Sequence, residues 1–247
     1  MTVRVLTCGC FLVLLISGMA CNRDASEIIP ADPGYDYFPL AIGQSAEYVV
    51  DSILLDPGPE GTVRDTIRSF LREIITDTFR DAEYNLVYKV DHYWRPADSL
   101  PWMLNGTGFC MRDPYEAHYW DGALRFVALS FPIESGRRWD GLAHISPYTT
   151  LVVAGEVLTP FSYSPFELVT SGTPMTVGGV RYEQTCTVEA SQENLIEKRL
   201  WKAVYARGAG LVLQEFQVYD TQNLNSSVSW DERAEKGFFI RKTRIVS

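Results

Sequence analysis

This sequence lacks the short motifs by which most enzyme classes are recognised. It contains no Gly-x-Ser-x-Gly elbow, no His-Glu-x-x-His pair, no glycine-rich phosphate loop and, beyond residue 20, no Cys-x-x-Cys pair. Only three of its 247 residues are histidine, the side chain most often used for acid–base catalysis. We therefore expect a protein that is not an enzyme, and we assign no catalytic residues.

The few histidines give a weak indication of a metal site. His92 and His118 each begin the tripeptide His-Tyr-Trp in a candidate strand, whereas His144 stands apart. If those two strands paired, two imidazoles would come together and could bind zinc or copper. A structural site requires about four ligands, and the sequence nominates no others. We predict neither a metal nor a cofactor.

The chain has fewer basic than acidic residues. The chain has 22 basic and 31 acidic residues, a formal net charge of −9, and no basic stripe. Such a surface repels a phosphate backbone, so we predict no nucleic-acid partner. Asp140 lies at a candidate turn, and Glu183 and Glu189 flank Cys186. Acids in such positions are usually solvated, so these carboxylates do not by themselves indicate glycosidase chemistry.

The N-terminus carries a single long apolar run. Arg4 precedes the apolar residues 5–16, and the small-residue stretch 17–20 follows. This order is typical of a secretory signal peptide. The run is shorter than the roughly 20 apolar residues of a membrane-spanning helix. Residues 1–20 are therefore predicted to be removed on export.

The residue after the cleavage zone is a cysteine. Cys21 follows the small residue Ala20 and resembles the lipobox cysteine of bacterial lipoproteins, whose thiol carries a diacylglyceryl group. The match departs from the usual lipobox at Gly18 and Met19, and the pair Gly18 and Ala20 also fits ordinary cleavage, which would release a soluble protein. We expect lipidation, and so an outer-membrane-anchored lipoprotein of the cell envelope, on its periplasmic or surface face.

The cysteine count favours lipidation. Of five cysteines, Cys8 and Cys10 leave with the signal peptide, and an odd number of thiols would remain if Cys21 were unmodified. An unpaired thiol is a liability in an oxidising compartment. With Cys21 acylated, Cys110 and Cys186 remain, 186 − 110 = 76 residues apart. They either form a disulfide or are two separate buried thiols, and the sequence leaves both alternatives open.

The mature chain divides into a tether and one domain. Residues 21–36 are polar and contain two prolines, which indicates a lipidated cysteine followed by a flexible tether. Residues 37–247 are predicted to form a single antiparallel β domain. Strands are predicted at residues 47–55, 85–94, 118–120, 123–131, 200–206, 211–219 and 237–246.

Two dipeptides predict tight hairpins. Asp121-Gly122 lies between apolar runs and predicts a type I′ turn, in which both central residues have positive φ. Gly178-Gly179 repeats this signal. Residues 66–79 have apolar side chains at helical spacing but are also rich in β-branched residues, and we interpret them as a strand. The predicted fold is all-β, as a single curved sheet, half-barrel or sandwich with few short helices.

Aromatic residues make up 13% of the chain. Several of them concentrate in its middle third, where they either pack in the core or line a pocket or sugar-binding face. They are Tyr93, Trp94, Trp102, Tyr119, Trp120 and Trp139.

Short motifs spread over most of the mature chain resemble those of a known family. The motifs are Tyr37-Phe-Pro-Leu-x-x-Gly-Gln, Glu47-Tyr-x-Val-Asp-Ser-Ile, Arg137-Arg-Trp-Asp-Gly, Glu193-Asn-Leu-Ile, Tyr205-Ala-Arg-Gly-x-Gly-Leu-Val and Ala234-Glu-Lys-Gly-Phe. In this order they resemble a group of uncharacterised envelope lipoproteins from Bacteroidota-type bacteria. The resemblance implies an exported, lipid-anchored, mostly β domain and implies no activity.

These observations lead to one expected function and two alternatives. We expect a non-enzymatic binding or structural module of the cell envelope, held at the membrane by acylated Cys21, whose partner is an envelope protein, an apolar ligand or a glycan. One alternative is a periplasmic carrier of an apolar ligand in a half-barrel cavity, which a continuous apolar cavity would favour. The other is an envelope hydrolase acting on carbohydrate or peptide, which two converging carboxylates would favour.

Overall fold

The computed structural model describes residues 32–161 and 165–245. The predicted signal peptide, the predicted lipidation site Cys21 and residues 22–31 of the predicted tether lie outside the described residues. The described residues are mostly extended, so the prediction of an all-β fold is confirmed. Within them, no helix has the length and apolar character needed to cross a bilayer.

The first half of the domain is a meander of six strands that follows a 3-10 helix at Tyr35–Tyr37. The strands are β1 (Ser45–Gly58), β2 (Gly61–Arg80), β3 (Leu86–Arg95), β4 (Met103–Arg112), β5 (Glu116–Asp121) and β6 (Leu124–Ser130).

The second half begins with three very short strands and continues with five strands and one helical turn. These elements are β7 (Arg138–Trp139), β8 (Leu151–Val153), β9 (Glu156–Leu158), β10 (Phe166–Val177), β11 (Val180–Glu193), β12 (Glu197–Ala206), β13 (Gly210–Asp220), α1 (Trp230–Arg233) and β14 (Lys236–Ile245).

One antiparallel sheet of twelve strands holds the two halves together. Its order is β6-β5-β4-β3-β2-β1-β14-β13-β12-β11-β10-β7, while β8 and β9 form a separate hairpin. The last strand, β14, therefore pairs with the first, β1, and joins the two meanders. At the two ends of the sheet, the amide of Val127 in β6 donates to the carbonyl of Gly141, just after β7, at 3.0 Å. The sheet is thus curved into a nearly closed, barrel-like form rather than a sandwich.

The ambiguous segment 66–79 is a strand, as interpreted from its β-branched residues. It lies within β2, which pairs without interruption with β1 from Ser45 opposite Ile74 to Gly58 opposite Gly61. A helical spacing of apolar residues is overridden here because the hairpin partner β1 pairs with residues 66–74 and β3 pairs with most of the remaining residues of the segment.

The two predicted tight turns have different outcomes. Gly178 and Gly179 have φ values of 57° and 81° and connect β10 to β11, as a type I′ turn requires. The type I′ turn predicted at Asp121-Gly122 is wrong, because Asp121 remains in β5 and pairs with Leu124. The loop is Gly122-Ala123, in which only Gly122 has a positive φ, 56°.

The main core cluster contains a chain of aromatic rings. Trp201 on β12 lies 4.9 Å from Phe126, 5.9 Å from Phe166 and 5.2 Å from Phe216, measured between ring centroids. Phe216 in turn contacts the Phe238 ring at 5.0 Å. These rings come from strands β6, β10, β12, β13 and β14, so their packing holds distant strands of the sheet around one interior.

Candidate ligand-binding cavity

The barrel encloses a cavity of about 120 Å³. Residues two apart on one strand face it together, such as Ala46 and Tyr48 on β1, because successive side chains of a strand point to opposite faces. The lining also includes Phe38, Pro39, Leu40, Gln44, Ser45, Glu73, Cys110, Tyr119, Phe126, Ala128, Phe166, Trp201, Gln214 and Lys242. Ser45 is exposed, so the cavity reaches the surface where β1 begins.

One side of the cavity is an apolar wall. It is made by the rings of Phe126, Phe166 and Trp201, which stack on one another at interplanar angles of 22° and 29°. Ala128 lies two residues from Phe126 on β6 and is too small to fill the space in front of them. An apolar group entering the cavity would therefore meet aromatic rings on this side.

The other side carries an ion pair. The Glu73 carboxylate on β2 and the Lys242 ammonium on β14 are in direct hydrogen-bonding contact, with side chains only 14% and 10% exposed. The Tyr119 hydroxyl donates to Glu73 at 3.2 Å and lies 3.2 Å from Nε2 of His92. The Tyr48 ring lies 4.3 Å from the Lys242 ammonium, a cation–π contact. We call Tyr48, Glu73, His92, Tyr119 and Lys242 the polar pole.

The surroundings fix the charges of the polar pole. Burial raises the pKa of Glu73, but the Lys242 ammonium, His92 and the Tyr119 hydroxyl together outweigh burial and lower that pKa below its ordinary value. Burial and the Glu73 charge raise the pKa values of Tyr48 and Tyr119 well above the usual range. At neutral pH Glu73 is therefore an anion and both phenols are uncharged.

His92 has room at the polar pole because residue 108 is glycine. A Cβ built at Gly108 would lie 2.4 Å from the carbonyl oxygen of Trp120 and 2.9 Å from Cε1 of His92. Both distances are shorter than van der Waals contact, so any larger residue must displace the backbone of β5 or the imidazole.

We expect Gly108→Ala to destabilise the fold. Forcing a methyl group into packed backbone costs about 1–3 kcal/mol, which urea unfolding followed by circular dichroism would measure. Gly106→Ala is the matched control on the same strand, because nothing lies within 4 Å of its added Cβ. Equal stabilities of the two variants would contradict the close approach of β4 to His92.

A segment at the start of the domain forms part of the cavity wall. We call residues 32–40 the strap; its Phe38, Pro39 and Leu40 line the cavity. The Arg112 guanidinium donates to the carbonyl oxygens of Tyr35 at 2.6 Å and of Phe38 at 3.0 Å.

The strap also includes residues that the sequence assigned to the tether. Arg207 forms ion pairs with Asp32 at 2.7 Å and Asp36 at 3.3 Å, and lies 5.1 Å from the ring of Tyr37. Tyr37 itself is 2% exposed. Residues 32–36, assigned to the flexible tether from their polarity, thus lie against the barrel, held by an arginine more than 170 residues away in sequence.

We expect Arg112→Met to loosen the strap. A hydrogen bond to a charged group contributes about 1.5–3 kcal/mol, so losing even one such bond makes the open strap roughly tenfold more populated. The rate at which a thiol reagent labels Cys110 should rise by that factor. In a Cys110→Ala background, Arg112→Met should cause no such increase in labelling of the protein. Arg80→Met, which removes a bond to the Tyr84 carbonyl, is the control. An unchanged rate would show that the strap does not limit access.

The structure does not bring the two His-Tyr-Trp histidines together. His92 faces the cavity side and contacts Tyr119, whereas His118 packs 5.8 Å from the ring of His144. Burial, followed by the charge of Arg125, lowers the pKa of His118 to about 4. Across residues 32–161 and 165–245 no group of three or more metal-ligating side chains comes together. The absence of a metal stays a prediction.

Cys110 and Cys186 are both buried and both free of a disulfide. Cys110 lines the cavity, whereas Cys186 is 0% exposed in the aromatic core cluster. They belong to different packing clusters, so the second alternative, two separate buried thiols, is the one observed, and the disulfide alternative is not. Burial raises the pKa of each thiol to about 12, which keeps both protonated at neutral pH.

The carboxylates considered from the sequence lie away from the cavity. Glu183 pairs with Arg181 at 2.8 Å on the surface, and Glu189 lies 3.9 Å from the ammonium of Lys202. Asp140 accepts a hydrogen bond from the amide of a neighbouring turn residue.

The aromatic residues of the middle third disperse. Trp139 is buried and donates to the carbonyl of Val127, and the Trp102 ring lies 4.4 Å from the guanidinium of Arg72 and 4.3 Å from that of Arg95. Of these six aromatic residues, Tyr119 lines the cavity. The residues that form its wall and its ion pair were not singled out from the sequence, because they come from strands far apart in the chain.

Comparisons with known proteins give only distant likenesses. No family model matches the chain, and no curated protein matches it. One similar solved structure is a candidate exported protein with a YmcC-like fold from Bacteroides fragilis NCTC 9343, with 12% identity, a TM-score of 0.40, and coverage of 85% of this chain and 98% of that chain. Another is a candidate lipoprotein from Parabacteroides distasonis ATCC 8503, with 9% identity, a TM-score of 0.37, and coverage of 83% and 95%. At these values the likenesses carry no inference about this chain, and the motif resemblance stays a prediction.

Proposed function

We propose that this chain is a lipid-anchored protein of the cell envelope whose barrel binds a small amphipathic ligand, without transforming it. The observation that supports this proposal is the cavity, which has an aromatic wall on one side and a polar pole on the other. A mostly apolar cavity with a few convergent polar groups is the usual form of a small-molecule site. Among the functions expected from the sequence, the carrier of an apolar ligand is the one most similar to this proposal.

The size of the cavity limits what enters it. A cavity of about 120 Å³ is slightly smaller than the engineered apolar cavity of roughly 150 Å³ that binds benzene. One ring, or a chain of about five carbons, fits. At about 0.8 kcal/mol for each buried CH₂, such a group gains about 4 kcal/mol, which corresponds to millimolar affinity. A larger ligand would place only its end inside.

The predicted anchor supports a ligand that comes from the membrane. Cys21 precedes the strap by 32 − 21 = 11 residues. Eleven extended residues span at most about 40 Å, so an acylated Cys21 would keep the strap and the cavity beside it near the lipid surface. Strap opening at that distance would let an amphipathic molecule pass between membrane and barrel.

The composition of the polar pole favours binding over hydrolysis. Glu73 is the one acid among the described residues that line the cavity, and its charge is neutralised by Lys242. Glycosidase chemistry requires a second carboxyl group. We therefore propose a non-enzymatic role.

Benzene tests whether the cavity accepts an apolar group. The full-length protein in lipid nanodiscs should bind benzene saturably, as followed by ligand-observed NMR. Ala128→Leu, which fills the space before the aromatic wall, should abolish this binding, while Ala82→Leu on an exposed turn should leave it unchanged. No saturable binding, or equal binding by both variants, would refute the proposal. The anchor is tested separately by the intact mass of the membrane-extracted protein with and without Cys21→Ala.

A further inference from the structure

We infer that the polar end of the ligand carries no net charge and both donates and accepts hydrogen bonds, as an alcohol, a phenol or a primary amide does. This inference rests on the proposed function, because it concerns the same cavity. It follows from the charges and the hydrogen-bonding capacity of the polar pole.

The first observation is the balance of charge. Glu73 and Lys242 are the charged residues among the described lining, and they neutralise each other. A carboxylate or an ammonium brought by a ligand would lose its hydration without meeting an unpaired counter-charge. Desolvation of an ion in a protein interior costs several kcal/mol, whereas a hydroxyl or amide group loses much less.

The second observation is the supply of hydrogen-bonding atoms. A carboxylate has about four acceptor sites, and Glu73 accepts from Lys242 and Tyr119. The Lys242 ammonium has three protons, one of which serves Glu73. Acceptor and donor capacity therefore lie side by side, and Gln214 adds an amide to the same lining. A hydroxyl group can give its proton to Glu73 and accept one from Lys242.

One further charge lies near the mouth. Arg244, two residues after Lys242 on β14, donates to the carbonyl oxygens of Ala209 and Ser45. It does not line the cavity, because its guanidinium holds the β12–β13 turn to the start of β1. A guanidinium that could reach the ligand would favour an anion. The experiment therefore compares the binding of neutral, anionic and cationic probes.

Three unbranched probes with six carbon atoms each make that comparison: 1-hexanol, hexanoate and hexylammonium. Titrations at pH 8 into the full-length protein in nanodiscs should give a dissociation constant for 1-hexanol at least roughly tenfold lower than for either ion. Equal or tighter binding of hexanoate or hexylammonium would overturn the inference while the binding of benzene upheld the proposed function. Failure of all three probes and of benzene would overturn both.

Two variants reverse the charge balance and sharpen the result. Glu73→Gln leaves Lys242 unpaired, so hexanoate should become the preferred probe; Lys242→Gln leaves Glu73 unpaired and should favour hexylammonium. Circular dichroism establishes whether each variant is folded. If a variant is not folded, the titrations of the wild-type protein with the three probes decide the inference without it. Unchanged preference for 1-hexanol in both folded variants would show that the ion pair does not select the ligand.

Discussion

Lys242→Met should destabilise the protein by about 3–5 kcal/mol at neutral pH, because it leaves the Glu73 carboxylate buried without its partner. The methionine fills a similar volume, so lost packing accounts for little of the change. The Tyr119 hydroxyl still donates to Glu73, but one neutral donor does not replace an ammonium. Urea unfolding at pH 7 measures the loss.

The pH dependence identifies the cause. In the wild type the pKa of Glu73 is lowered, so its contribution to stability is present above the ordinary glutamate pKa and is lost only as the pH falls through the lowered value. In Lys242→Met, burial without the ammonium should raise the pKa of Glu73 instead. The loss of unfolding free energy relative to the wild type should then be largest at pH 8. It should become smaller towards pH 5, where Glu73 of the variant takes up a proton.

The double variant Glu73→Leu with Lys242→Met is the control. Replacing both partners of a buried ion pair by apolar residues is often neutral or stabilising, so most of the lost stability should return. A single variant as stable as the wild type, or a deficit that does not change with pH, would mean that the two charges are more hydrated than their exposures of 14% and 10% indicate.

Trp201→Ala should cost about 3–5 kcal/mol, the range measured for removing a large buried aromatic side chain. Trp201 is 9% exposed and contacts the rings of Phe126, Phe166 and Phe216, so its removal separates strands from both meanders. Thermal unfolding by calorimetry measures the change.

Trp102→Ala is the matched comparison for Trp201→Ala. Trp102 contacts two guanidinium groups, 4.4 Å and 4.3 Å from its ring, and is only partly buried. Cation–π contacts at such sites contribute about 0.5–1 kcal/mol each, so the cost should be much smaller. Similar losses for the two tryptophans would contradict the position of Trp201 at the centre of the aromatic core.

The sequence predicted local structure better than it predicted the site. Alternating apolar residues and glycine dipeptides indicate strands and hairpins directly, so most strands and the Gly178-Gly179 turn could be predicted. The turn at Asp121 was displaced by one residue, because Asp-Gly indicates a turn but not which residue of the pair ends the strand.

The cavity required information that local patterns do not contain. Glu73 and Lys242 are 169 residues apart and meet only because β14 inserts between β1 and β13. Each is a charged residue at an inward position of an alternating strand, which was the one available signal. Residues 32–36 of the strap were assigned to the tether because polar residues occur both in tethers and in surface segments of a domain. The ion pair between Asp32 and Arg207, which lies in a distant turn, shows that these residues belong to the domain.

Fluorine NMR of protein labelled with 5-fluorotryptophan tests the cavity as the ligand site most directly. The chain has six tryptophans, and among them Trp201 is the one that lines the cavity. With Trp201 assigned by its loss in Trp201→Phe, titration of 1-hexanol should shift its resonance saturably and by more than those of Trp94, Trp102, Trp120, Trp139 and Trp230. An unmoved Trp201 signal, or a larger shift at the partly buried Trp102, would show that the interior of the barrel is not where the ligand binds.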